Sequence, residues 1–251
     1  MNEMEKLIAV TIALALTTVA SIWAQSPLRA EAAAADALAR GTGAVSGRIT
    51  MAGNFPKRKP LPVFKNRSFC GAAVANETIL VGSGGGLKNV VVILRASDRI
   101  AAAQPTQLVL DNKRCAFAPH VQVAPVGSEL LLKNSDPILH TVHARLGNET
   151  LFNIGLPKWR QVTKQLDRAG VIRINCDVLH TWMSAAIVVT DSPYFAVTDE
   201  RGFFSIERLP VGQYQAEIWH EKLGTRTTTL SVTADGAVSL DVIFALTRDF
   251  G

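Results

Sequence analysis

Between residues 44 and 251 the chain never sustains a helical hydrophobic period. It breaks instead into short alternating segments parted by turn residues. Segments of this kind run over residues 88–95, 107–110, 120–123, 128–133, 140–143, 171–176 and 185–190, and the turn-forming stretches 82–86, 111–112, 125–127 and 134–137 separate them. Many short strands at such spacing predict an all-β sandwich or small barrel. With 48% hydrophobic and 19% charged residues, the chain has enough apolar surface for a packed core, which excludes global disorder. A length of 251 residues allows one large or two small domains.

The N-terminus stands apart from this pattern. A short charged start, Glu3, Glu5 and Lys6, precedes an apolar run over residues 7–24, which reads as an export signal cleaved at Ala24 or, if retained, as a membrane anchor. The expected location is therefore periplasmic or secreted, with residues 7–24 the one potential link to a membrane. Residues 25–44 are Ala-rich and read as a linker. Cleavage would remove two acids and one base, so that the formal charge of +5 becomes +6. The basic residues form no stripe, which argues against a nucleic-acid partner.

After Asp191 the texture changes. Thr198-Asp-Glu-Arg-Gly202 and Leu209-Pro-Val-Gly212 are tight turns, and Tyr214, Ala216 and Ile218 alternate with Gln213, Gln215 and Glu217 as on a half-buried strand. Two further strands are expected near 225–233 and 237–246. The organisation predicted is a main domain over 45–190 and a small β-sandwich over 191–251.

The residues that carry chemistry cluster in Cys176-Asp-Val-Leu-His180-Thr-Trp-Met183, with Asn134-Ser-Asp-Pro-Ile-Leu-His140-Thr-Val-His143 upstream. A thiolate, imidazoles and a thioether together suit copper cycling between Cu(I) and Cu(II), and two His and one Cys with a weak axial Met form the blue-copper set. Strand parity places Ile172, Ile174 and Cys176 on one apolar face, with Arg173 and Asn175 opposite. It places His140 beside Val142 and turns His143 the other way, so the two histidines do not serve one ion. His120 and His143 read as half-exposed imidazoles or, alternatively, as a second metal site. Trp182, inside the ligand loop, either packs that loop or offers electrons a route to the metal. His220 ends a strand and reads as structural. A hydrolase built on Cys176 and His180 is disfavoured, because a core-facing thiol at a strand end has no oxyanion donors in view. Asn66, Asn76 and Asn148 sit in Asn-x-Ser/Thr triplets that arise readily by chance.

The 134–190 stretch resembles the cupredoxins, plastocyanin and amicyanin among them, at His140, Cys176, His180 and Met183. That resemblance implies a Greek-key sandwich holding one copper ion, with His140, Cys176 and His180 equatorial and Met183 axial. It also implies one-electron transfer with a redox partner such as a cytochrome or dehydrogenase, rather than an enzyme. The spacing after Cys176 is similar as well to half of a binuclear copper A loop, but the second cysteine of such a site would stand where Ile172 does, so a single ion is expected. The stretches Tyr194-Phe-Ala-Val-Thr-Asp-Glu-Arg-Gly202 and Leu209-Pro-Val-Gly-Gln-Tyr214 resemble the carboxypeptidase regulatory-like β-sandwich, and residues 45–53 resemble its opening strand, which implies that they pair with the C-terminal module. With Cys176 on copper, Cys70 and Cys115 are left to pair as a disulfide, which export permits. Storage or delivery of copper, or a structural role at the cell envelope, are the rival functions.

Overall fold

The computed structural model describes residues 41–53, 58–97 and 103–245. The expected export signal (residues 7–24) and nearly all of the expected linker lie outside these residues. Strands dominate: β1 (Thr42–Ala52), β2 (Leu61–Pro62), β3 (Ala73–Val74), β4 (Val91–Ala96), β5 (Gln107–Lys113), β6 (Ala116–Ala118), β7 (Val121–Pro125), β8 (Ser128–Asn134), β9 (His140–Leu146) and β10 (Glu149–Leu156). The chain continues through β11 (Gln161–Leu166), β12 (Gly170–Asn175), β13 (Ser184–Thr190), β14 (Tyr194–Val197), β15 (Phe203–Pro210), β16 (Gly212–His220), β17 (Gly224–Val232), β18 (Ala237–Ser239) and β19 (Val242–Ala245). One helical turn, α1 (Arg67–Cys70), sits between β2 and β3. β1 begins at Thr42, inside the expected linker, because Thr42 and Gly43 already pair with Pro210 and Leu209.

Two sandwiches result, and the fold is all-β as the alternation predicts. In the first, the sheet β10-β9-β12-β13-β7 faces the sheet β11-β8-β5-β6. Leu110, Leu130, Leu132, Val142, Ile174 and Ile187 fill the space between them. In the second, β14-β4-β16-β17 faces a sheet in which β1 pairs with β15, β18 and β19. Ile49, Leu94, Tyr214, Ile218 and Phe244 form its core. The Tyr214 hydroxyl donates to the Pro210 carbonyl at 2.8 Å, closing the turn between β15 and β16.

The two sandwiches are stacked. Val91 and Ile93 of β4 and Trp219 of β16 meet Val121 of β7 and Ala186 and Val188 of β13 in a third apolar layer. β4 lies within the 45–190 segment, yet it pairs with β14 and β16. It is buried on both faces, Val92 and Leu94 pointing one way and Val91 and Ile93 the other. A strand buried on both sides reads as a continuous apolar run rather than as an alternation, and Val-Val-Ile-Leu at 91–94 is such a run.

Candidate metal centre

The centre lies at one end of the first sandwich, where β9 begins and β12 ends. Alternation along β9 buries His140, Val142 and Ala144 and turns Thr141, His143 and Arg145 away. Along β12 it buries Ile172 and Ile174, so that Cys176, one residue past the strand, enters the same core. The loop after Cys176 then folds back and brings His180 over it.

The turn before His140 is shaped by Asn134. Its Nδ2 donates to the carbonyls of Ile138 (2.8 Å) and Leu156 (2.7 Å), and its Oδ1 accepts the Asp136 N–H at 3.0 Å. Asp136 is thereby held beneath His140. The Asp136 carboxylate accepts the Arg114 N–H at 2.7 Å and the Cys115 N–H at 2.8 Å, and lies 3.0 Å from His140 Nε2. On the other imidazole, His180 Nε2 lies 2.9 Å from Asn66 Oδ1. Asn66 precedes α1 in a left-handed backbone conformation (φ 56°), a region that asparagine tolerates better than most residues.

Both imidazoles are fully buried. Burial lowers the pKa of His140, against the opposing pull of Asp136. Burial, followed by the nearby His140 and Lys65, lowers that of His180 to about 4. At neutral pH each ring therefore carries one N–H. Its partners place it on Nε2 in both cases, since a carboxylate and an amide oxygen can only accept. The two bare Nδ1 atoms then face each other at 3.0 Å, and Cys176 Sγ lies 4.0 Å from one and 3.7 Å from the other. The two bare nitrogens repel one another at this distance, and with the sulfur as a thiolate beside them the set is relieved by a cation lying between the three.

The spacing fits one. A trigonal ion with metal–nitrogen bonds of about 2.0 Å and a metal–sulfur bond of about 2.3 Å sets nitrogen from nitrogen by roughly 3.5 Å and nitrogen from sulfur by roughly 3.7 Å. Among the described residues, His140, Cys176 and His180 form the one cluster of metal-ligating side chains of this kind. Cys176 Sγ accepts the Thr141 N–H at 3.3 Å and the Thr141 hydroxyl at 3.6 Å, while that hydroxyl accepts the Asp177 N–H at 2.6 Å. Donors aimed at a ligating sulfur tune its bond to a metal. Met183 is buried in the same core at the end of the loop, and its N–H donates to the His180 carbonyl at 2.9 Å.

Other expected site residues fall elsewhere. Trp182 is buried rather than presented at the surface. Its ring packs against His180 at 5.0 Å, and its Nε1 donates to the Cys115 carbonyl at 3.0 Å. His143 lies on the opposite face of β9, with Nδ1 2.8 Å from Asp177 and Nε2 2.8 Å from Thr150. His120 is buried, not half-exposed, because Glu221 of the second sandwich and Glu77 close over the edge strand that follows it. Burial alone would lower the His120 pKa, but the hydrogen bond and charge of Glu221, with Glu77, raise it above its ordinary value. His120 and His143 are thus not brought together. The sulfurs of Cys70 and Cys115 are bonded, and Cys176 is the free thiol.

The sequence assigns Asp136 and Thr141 no role within the motif that contains them, and marks Asn66 only as part of an Asn-x-Ser triplet. Asp136 lies four residues before His140, a spacing that could have marked it. Asn66 is 114 residues from His180, and no local pattern connects them.

No family model matches the chain, and no curated protein matches it. Solved structures similar to part of it include a purple cupredoxin from Nitrosopumilus maritimus, at 20% identity over 34% of this chain and 99% of that one, with a TM-score of 0.30. An amicyanin from Paracoccus versutus is similar at 12% identity over 39% of this chain and 97% of its own, with a TM-score of 0.30. A copper-containing nitrite reductase from Thermus scotoductus is similar at 17% identity over 39% of this chain but 25% of its own, with a TM-score of 0.31.

Proposed function

We propose that this chain is an exported mononuclear copper protein that carries one electron at a time, and is not an enzyme. The observation that carries this reading is the convergence of two imidazole nitrogens and one sulfur within 3.0–4.0 Å, each imidazole tethered at its remote nitrogen. His140, Cys176 and His180 would hold the ion, with Met183 as the weak fourth ligand. Bound by such a set, copper supplies reversible one-electron chemistry. The chain's part is to hold the donors still. Asp136 and Asn66 orient the rings, Thr141 directs two donors at the sulfur, and burial excludes water.

All three donor side chains are buried. That supports an electron carrier over a centre that must admit a substrate, and over a delivery protein that must exchange its metal readily. The Cys70–Cys115 bond supports export, since disulfides persist in oxidising compartments. Phe64, Phe69, Leu139 and Leu179 are exposed on segments next to His140 and His180. Such an apolar group suits transient docking of a redox partner, a cytochrome or dehydrogenase.

Anaerobic addition of Cu(II) to the metal-free protein tests the reading. One copper per chain, an intense visible sulfur-to-copper band and loss of that band in Cys176→Ser are expected. A full complement of bound copper without the band would overturn it.

A further inference from the structure

Residues 61–74 form a cap beside His180 with little structure of its own. The cap consists of a four-residue helix and two paired strands of two residues each. Val63 is its one fully buried residue in the core of the first sandwich, with Leu61, Cys70 and Val74 half-buried against that core, while Phe64 and Phe69 face outward. A segment with so few buried contacts opens at low cost unless something fastens it. Two links do so. Asn66 accepts the His180 Nε2–H, and Cys70 is bonded to Cys115.

Cys115 is more than an anchor. Its N–H donates to the same Asp136 carboxylate that orients His140, and its carbonyl accepts the Trp182 Nε1–H from the ligand loop. The disulfide therefore joins the cap, the outer partner of one imidazole and the loop bearing the other. We propose that the Cys70–Cys115 bond is a redox-sensitive latch: intact, it holds Asn66 on His180 and closes the metal centre; reduced, it lets the cap open and the metal exchange. This deepens the copper reading and rests on it. The step is ordinary thiol–disulfide exchange. A dithiol donor gives two electrons and two protons to the bond, leaving two thiols on the protein and a disulfide on the donor. Asn66 acts as a positioning residue, and its outer-partner role is the kind whose loss weakens metal sites by roughly 10–100-fold.

The chain has three cysteines, so Cys70→Ser with Cys115→Ser leaves Cys176 as the sole thiol. Two measurements on the full chain compare this double variant, Asn66→Ala and wild type. The first is the rate at which iodoacetamide alkylates Cys176 in the metal-free protein. The second is the rate at which Cu(I)-loaded protein surrenders copper to a Cu(I) chelator. Both rates should rise about tenfold or more in the double variant, and copper loss should rise in Asn66→Ala as well, where the disulfide stays intact. Wild type treated with a dithiol should match the double variant in copper loss. Rates within about twofold of wild type, with circular dichroism unchanged, would overturn the latch. If the double variant does not fold, Asn66→Ala and the dithiol-treated wild type decide the matter. Failure of the copper reading shows separately, as a missing sulfur-to-copper band in wild type.

Discussion

At Asn134 a single amide shapes the turn that presents Asp136 and, through it, His140. Its three hydrogen bonds all end on backbone groups, two in the turn and one on Leu156 at the end of β10. Replacing it with Ala strands the Ile138 and Leu156 carbonyls, and a stranded buried group costs about 1–3 kcal/mol. Asn134→Ala should therefore lower stability by roughly 2–3 kcal/mol in urea unfolding and weaken copper binding in parallel; a loss under about 0.5 kcal/mol would contradict the role given to this residue. His220 offers a pH-dependent test away from the metal. Its Nδ1 accepts the N–H groups of Lys222 and Leu223, and burial is the main reason its pKa falls from 6.5 to about 4. The unfolded chain thus binds a proton at pH values where the folded one does not, so stability through this residue is complete above 6.5 and drains as pH falls toward 4. The loss is on the order of 3 kcal/mol. His220→Asn, which keeps an acceptor for the turn, should flatten that part of the stability profile. An unchanged profile would show that His220 titrates normally in the fold.

Among the elements, β4 and β13 connect the sandwiches because each is buried on both faces. Ile93 of β4 packs in the layer between them, and Ile93→Ala should cost roughly 2–4 kcal/mol in denaturant unfolding. Val109 of β5 is exposed, and its replacement by Ala should change stability by under about 0.5 kcal/mol. Comparable losses at the two positions would contradict this picture of the layers. The same distinction explains which strands could be read in advance. β8, β9 and β12 alternate buried and less buried residues as their sequences suggest. β10 and β11 were not anticipated. They are the outer strands of their two sheets, and their half-exposed sequences carry no clean apolar alternation, adjacent Leu151 and Phe152 interrupting it in β10 and Lys164 in β11. α1 likewise has no buried residue to give it an amphipathic pattern.

Across the whole molecule, the apolar layer around Trp219 joins two cores that each resemble a complete domain. Trp219 is largely buried between the sandwiches. Trp219→Ala should cost roughly 3–5 kcal/mol and, by uncoupling the cores, split one unfolding transition into two; a single transition at an unchanged midpoint would show that the layer contributes little. The sequence by itself determined the all-β class, because a period of two is written locally in each strand. For the same reason it determined that His140, Cys176 and Ile174 look into one core and that His143 does not. Only the tertiary structure decided that β1 and β4 complete the second sandwich, that His120 is buried against Glu221, and that Asn66 meets His180 under a disulfide-fastened cap. Those outcomes depend on contacts between residues a hundred or more positions apart, as with the separations of 101 for His120 and Glu221 and 114 for Asn66 and His180. No local periodicity encodes such contacts. They form because each sheet must cover its second apolar face and each buried imidazole must find a partner for its N–H.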